Sequence, residues 1–148
     1  MKLEKNNCLV GRLLFVIIVL SGCAAQSNNR INLATVDRFM VAFNQHDIDA
    51  MLTETTESIG WYSVEGESIT AQTLGQAQLR EAMQSYFSAV PSVRSAISNI
   101  SVNGNLVTVI EKATWENRGQ TQQQCSKAVY ELTAEKINKV WYFPAQDC

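Results

Sequence analysis

Hydrophobic and polar positions alternate with different periods along the chain. Leu13 to Leu20 is an unbroken apolar run behind Lys2, Lys5 and Arg12. Val36, Phe39, Met40 and Phe43 then fall at i, i+3, i+4 and i+7, which predicts an amphipathic helix from about Asn32 to Gln45. Asp47 is placed to cap a second short helix with Ile48, Met51 and Leu52 on its apolar side. Ile59 to Val64 reads as a strand punctuated by Glu65-Gly66. Leu79, Met83 and Phe87, flanked by Ala82, Tyr86 and Val90, predict a third helix that Pro91 stops.

From Val93 the period becomes two. Val93–Val102 and Leu106–Trp115 flank Asn103-Gly104, a strong hairpin signal. Asn117 to Gln120 marks the next turn, and Gln122–Thr133 and Ile137–Phe143 form a last hairpin around Ala134-Glu135. Helices followed by a meander of strands predict an α+β fold. A two-residue turn at Asn103-Gly104 would pair Val102 with Asn105, Ile100 with Val107, Ser98 with Val109 and Ala96 with Glu111. One sheet face then holds Arg94, Ala96, Ile100, Val102, Val107, Val109, Glu111, Ala113 and Trp115, and should face the helices. Glu111 is the anomaly on that face, with Arg94 within diagonal reach. The opposite face carries Ile97, Leu106, Ile110, Val129, Trp141 and Phe143, with no helix left to cover it. An apolar face of that size points to an interface, interrupted by Thr108, Lys112, Thr114 and Lys127.

The first apolar run is too short to span a bilayer, which takes roughly 20 residues. With its basic flank it reads as an export signal. Leu20-Ser21-Gly22-Cys23 resembles the bacterial lipobox, in which the cysteine is lipidated and becomes the first mature residue. The competing readings are a plain signal cleaved near Ala24-Ala25 and an uncleaved anchor. The organisation expected is a signal peptide over residues 1–22, a polar tether over 23–30 and a globular domain over 31–148. Each buried acyl CH₂ adds about 0.8 kcal/mol to membrane binding, so a multiply acylated Cys23 would hold the protein at a membrane. Ala24 after the cysteine, with no Asp there, implies by the same resemblance the outer membrane, facing the periplasm.

Composition narrows the reading further. A chain of 148 residues, 46% hydrophobic and 18% charged, suits one domain and excludes a disordered acidic chain. Loss of Lys2, Lys5, Arg12 and Glu4 with the signal would leave nine basic and thirteen acidic residues, a net charge near −4. Such a domain gives no reason to expect nucleic acid as a partner. Cys8 would leave with the signal and Cys23 would carry lipid. Cys125 and Cys148 remain, either bridged in an oxidising compartment or as two free thiols. The single histidine, His46, lies far from them along the chain, which speaks against a zinc site; no metal and no cofactor is expected.

The ordered segments VDRFMVAFNQHDIDAM, SIGWYSVEGESI, LREAMQSYFSAVP and AVYELTAEKINKVWYF resemble the SnoaL-like branch of the nuclear transport factor 2-like superfamily over roughly residues 31–144. The resemblance implies a cone: a curved antiparallel sheet wrapped around three N-terminal helices, a cystatin-like roll with a pocket in its mouth. The family contains isomerases, cyclases, dehydratases, epoxide hydrolases and non-enzymatic binders, so the fold alone names no function. Its usual catalytic positions fall here on Phe39, Ser63, Ala128 and Tyr142, none of which matches the expected acid or hydroxyl. The implied pocket is lined by Phe39, Trp61, Ser63, Val109, Glu111, Trp115, Ala128, Tyr130, Val140 and Tyr142. Relatives commonly dimerise through the outer sheet face, so a homodimer is expected.

Glu111 is the one candidate for chemistry. It reads either as a general base raised by burial or as a structural carboxylate, paired with Arg94 or bonded to tyrosine hydroxyls. His46-Asp47 has the composition of a dyad but sits in the turn between the first two helices, where a surface cap is the plainer reading. Asp47 and Asp49 suit a helix N-terminus better than a metal. Trp61 and Trp115 read as core or as ligand-stacking rings. These features lead to a lipid-anchored envelope protein whose pocket holds a small apolar molecule without catalysis. A proton-transfer or hydrolytic enzyme using Glu111, and a protein-interaction module docking through the outer sheet, are the alternatives.

Overall fold

The computed structural model describes the backbone of residues 20–148 and the side chains of residues 27–148. Residues 1–19, on which most of the expected export signal falls, and the side chain of Cys23 lie outside the described residues. Among the described residues, no helix is long and apolar enough to cross a membrane.

Helix α1 (Leu20–Gln45) buries the expected stripe of Val36, Phe39, Met40 and Phe43. It begins earlier than the stripe predicts, so the backbone of residues 23–30, read as a tether, continues the helix. Ala24, Ala25 and Gln26 favour helix, and no proline interrupts them. The helix ends in a Schellman motif: His46 N–H donates to Phe43 O and Asp47 N–H to Ala42 O, both at 3.0 Å. The left-handed position, usually glycine, is His46 at φ 56°. Its ring stacks on Phe87 at 4.2 Å, with Nε2 3.2 Å from Val93 O, which holds the residue there. Asp47 caps helix α2 (Ile48–Thr53) by accepting from Ala50 N–H at 2.9 Å. The two neighbouring side chains therefore have separate structural partners. Asp49, in the first turn of α2, pairs with Arg80 at 2.6 Å.

Strand β1 (Thr55–Glu65) turns at Gly66 into β2 (Ser68–Leu74). The sequence pattern misses β2 because it is an exposed edge strand in which only Thr73 is buried. Helix α3 (Gly75–Ala89) buries Leu79 and Phe87 and ends before Pro91. The meander follows as β3 (Arg94–Asn103), β4 (Leu106–Asn117), β5 (Gln120–Thr133) and β6 (Lys136–Gln146). The sheet order is β2-β1-β6-β5-β4-β3, antiparallel except where β1 runs parallel to β6. The three helices pack on the concave face of this curved, unclosed sheet. Their buried side chains meet Val107, Val109, Ala128, Tyr130, Leu132, Ile137 and Val140 in one core.

The first hairpin corrects the expected register. Asn103 pairs with Leu106 and Val102 with Val107, so the turn residues are Gly104 and Asn105. Only Gly104 takes a positive φ, 60°, the glycine-first pattern of a type II′ turn rather than the Asn-Gly type I′ turn assumed from sequence. A bulge follows between Ser98 and Ser101, with Asn99 at φ 49°. Together they place Ile97, not Ala96, opposite Glu111, and Ser95 opposite Ala113. Ser95 and Ile97 thus join the inner side, while Ala96, Ile100 and Arg94 are exposed. Arg94 donates to Val93 O and contacts His46 Nε2, so it cannot be the ion-pair partner proposed for Glu111.

With Ile97 removed from it, the outer face keeps Leu106, Ile110, Val129, Trp141 and Phe143, all partly buried. Lys127 lies over Phe143 at 3.7 Å and Lys139 over Trp141 at 5.7 Å, so lysine stems cover part of the patch. Cys125 and Cys148 are bridged, with Cα atoms 5.1 Å apart, and the bond ties the last residue of the chain back to β5. The loop it closes spans 23 positions. Breaking it should cost about 3 kcal/mol. Urea unfolding with and without reductant is expected to show that loss, and the Cys148→Ser variant should be insensitive to reductant.

Candidate functional site

The inward period of β4 places Val107, Val109 and Glu111 on the concave face, and all three are buried. A carboxylate there needs donors in place of water. Three hydroxyls supply them from the three other strands of the meander. Ser95 Oγ on β3 donates to Glu111 Oε1. Tyr142 on β6 donates to Oε2, and the Tyr130 hydroxyl on β5 lies 3.3 Å from the same oxygen. The two tyrosine hydroxyls are 3.3 Å apart, and Tyr130 also reaches Met40 Sδ at 3.7 Å. Burial, and then the nearby carboxylate, push both Tyr130 and Tyr142 well above the ordinary tyrosine range. Tyr86 moves up for the same two reasons.

Glu111 forms part of the wall of a cavity of about 250 Å³. Its apolar lining is Phe43 and Trp61, Met83 and Tyr86 from α3, Ala113, and the ring of Tyr142. Its other polar residues are Gln124 and Ser126 on β5. Trp61 stacks on Tyr142 with ring centres 5.2 Å apart, which fixes one wall. Phe43 and Tyr86 approach to 6.3 Å. Among the described residues, no three His, Cys, Asp or Glu side chains converge to hold a metal ion.

The structure brings together Trp61, Glu111 and Tyr142 of the residues expected from sequence. Phe39, Val109, Ala128 and Tyr130 lie beneath the cavity as fully buried core, and Val140 lies with them. Trp115 packs against the same core and is absent from the cavity wall. Ser63 accepts from Gln72 Nε2 at 2.9 Å on the β1–β2 edge, away from the wall. Sequence reasoning missed Phe43, Met83, Tyr86, Ala113, Gln124 and Ser126. Two of these were within reach. The turn around Arg118-Gly119 sets β4 against β5 so that Glu111 faces Ser126 and Ala113 faces Gln124. The helix residues were readable only as core, because a hydrophobic stripe does not say which of its turns faces a void.

Three donors leave Glu111 little free acceptor capacity, since an ionised carboxylate has about four acceptor positions. The carboxylate is therefore a fixed acceptor held at the cavity wall. The tyrosines carry a pH consequence. Their folded pKa lies above the unfolded value of about 10, so the folded chain keeps protons that the unfolded chain loses. That contribution is fully present below about pH 10 and is lost as pH rises through the folded values. Urea-unfolding free energy is expected to fall above about pH 10, and less steeply in Tyr142→Phe. At neutral pH the same variant should lose about 1–3 kcal/mol, because Glu111 is left short of a donor.

Several solved structures share this architecture. An uncharacterised cystatin-fold protein from Novosphingobium aromaticivorans is 20% identical, with a TM-score of 0.66 over 76% of this chain and 97% of that one. A putative SnoaL-like polyketide cyclase from Jannaschia sp. is 16% identical, with a TM-score of 0.65 over 78% and 86%. AclR, a putative hydroxylase from Streptomyces galilaeus, is 15% identical, with a TM-score of 0.63 over 80% and 90%. No curated protein matches the sequence. At these identities the likeness shows the fold alone. The sequence profile of the SnoaL-like domain, however, matches residues 36–140, more than half of the chain. The chain, with its three helices on a curved six-stranded sheet, belongs to the SnoaL-like family.

Proposed function

We propose that this chain is a lipid-anchored protein of the bacterial envelope whose SnoaL-like domain binds a small, mostly apolar molecule without transforming it. The observation that carries the binding reading is the cavity: about 250 Å³, walled chiefly by aromatic side chains and Met83, with few polar groups. Convergence of a few polar groups in an apolar pocket is the usual form of a small-molecule site. Pockets for drug-sized ligands run from about 300 to 1,000 Å³, so the occupant here is small, on the scale of one substituted ring. The non-catalytic reading rests on Glu111. Ser95, Tyr130 and Tyr142 bond both of its oxygens and fix it in place, so the one acceptor position left suits holding a ligand's donor rather than moving with a proton between partners. The hydroxyl, amide and thioether groups beside it offer no activated nucleophile.

The enzymatic reading keeps one point in its favour. Among the described residues, Glu111 is the only carboxylate on the cavity wall, and similar solved structures include a putative polyketide cyclase and a putative hydroxylase. Turnover of any substrate that disappears in Glu111→Gln would replace the binding reading with that one.

The anchor rests on Leu20-Ser21-Gly22-Cys23 behind the apolar run. A labelled fatty acid fed to expressing bacteria is expected to enter the chain, and Cys23→Ser should abolish the label and release the protein from the membrane fraction. For the pocket, isothermal titration calorimetry with phenethyl alcohol, a neutral single-ring probe, is expected to show binding. Met83→Trp fills the cavity from α3 and should weaken that binding roughly tenfold, or about 1.4 kcal/mol. Unchanged affinity in the filled variant would place the probe elsewhere and remove the support for the pocket.

A further inference from the structure

The charge balance of the cavity says more about its occupant. Glu111 is 7% exposed. Among the described residues, no lysine, arginine or histidine pairs with it: the ion pairs formed are Arg38–Glu54, Arg80–Asp49 and Lys139–Glu131. Arg94 turns outward to Val93 O and His46, and Lys112 and Lys127, the cations nearest Glu111 in the register, alternate to the opposite face of the sheet, where Lys127 lies over Phe143. Every protein group bonded to the carboxylate is a neutral hydroxyl. Hydroxyls satisfy its lone pairs but leave its charge uncompensated in a partly enclosed, low-dielectric site, where a cation is attracted strongly.

The walls favour the same kind of occupant. Phe43, Trp61, Tyr86 and Tyr142 surround the cavity into which the carboxylate looks. Aromatic rings attract a cation seated over their faces, and more strongly once it is desolvated. Three hydroxyl bonds leave about one acceptor position on the carboxylate, enough for a single N–H donor. The openness of the cavity to solvent lets a charged ligand enter without crossing the core, and Gln124 and Ser126 at the wall can accept further N–H groups.

We infer that the pocket selects a small aromatic or aliphatic amine in its protonated form, with the ammonium at Glu111 and the apolar body between Trp61 and Tyr86. This rests on the small-molecule reading of the same cavity and names the polar group that its ligand carries. An amine held this way needs no bond made or broken, in keeping with a binding site.

The test compares phenethylamine with phenethyl alcohol, which differ chiefly in the charged group. Calorimetry is run on the full chain in lipid nanodiscs at neutral pH. Phenethylamine is expected to bind about tenfold or more tightly than the alcohol. Glu111→Gln should erase that preference while the alcohol still binds. Because Glu111 also joins three strands, Gln124→Lys provides a second variant at an exposed position. It sets a competing ammonium at the wall, and should weaken the amine more than the alcohol. Equal affinity for the two probes, or a preference for the amine that survives both variants, would overturn the amine inference and leave the apolar pocket standing. Failure of both probes to bind overturns the pocket reading and the inference together.

Discussion

A carboxylate can be buried only where donors replace its water, and an unsatisfied one costs several kcal/mol. Glu111 meets that condition through Ser95 on β3, Tyr130 on β5 and Tyr142 on β6. Each contact fixes the register of a different strand relative to β4. Displacing any one of the three strands by a single residue would turn its hydroxyl to the other face of the sheet. The position of Tyr142, and with it the Trp61–Tyr142 stack on the cavity wall, is tied to that shared point. A polar group in an apolar core thus sets the alignment of four strands, a role that hydrophobic contacts, being non-directional, fill less sharply.

The helices meet different constraints. α1 ends where His46 adopts a left-handed conformation stabilised by Phe87 and Val93. α2 starts at once from the Asp47 cap. The abrupt reversal carries Met51 and Leu52 back against the core and leaves Phe43 free to face α3 across the cavity. The polar pair His46-Asp47 is thereby consumed by the turn. Its composition resembles catalysis, and its surroundings assign it to geometry.

The helices, the strand count of the meander, the Cys125–Cys148 bridge and the oddity of Glu111 were all legible in the sequence. Each rests on a local signal: a 3.6-residue stripe, a two-residue alternation, an even pair of thiols, a charge among apolar neighbours. Three things were not legible. β2 lacks a buried alternation because it is an edge strand. The β3 register depended on whether glycine stood first or second in its turn, and on a bulge at Asn99 with no composition signal of its own. The cavity lining depended on which apolar side chains leave space between them, which is a property of packing. Phe39 and Tyr130 are indistinguishable by type from Phe43 and Tyr142, yet the first two fill the core and the last two border the void.

The type II′ turn at Gly104-Asn105 has a consequence for how such domains diverge. Loop length, together with the bulge, decides whether Ser95 or Arg94 is presented to Glu111. A one-residue deletion between Ser95 and the turn would set Arg94 opposite Ala113 and carry a guanidinium inward near Glu111, with no substitution at any residue lining the pocket. Ligand preference in a sheet-lined cavity can therefore change through strand slippage alone. Two members of one family with identical pocket residues could hold occupants of different charge.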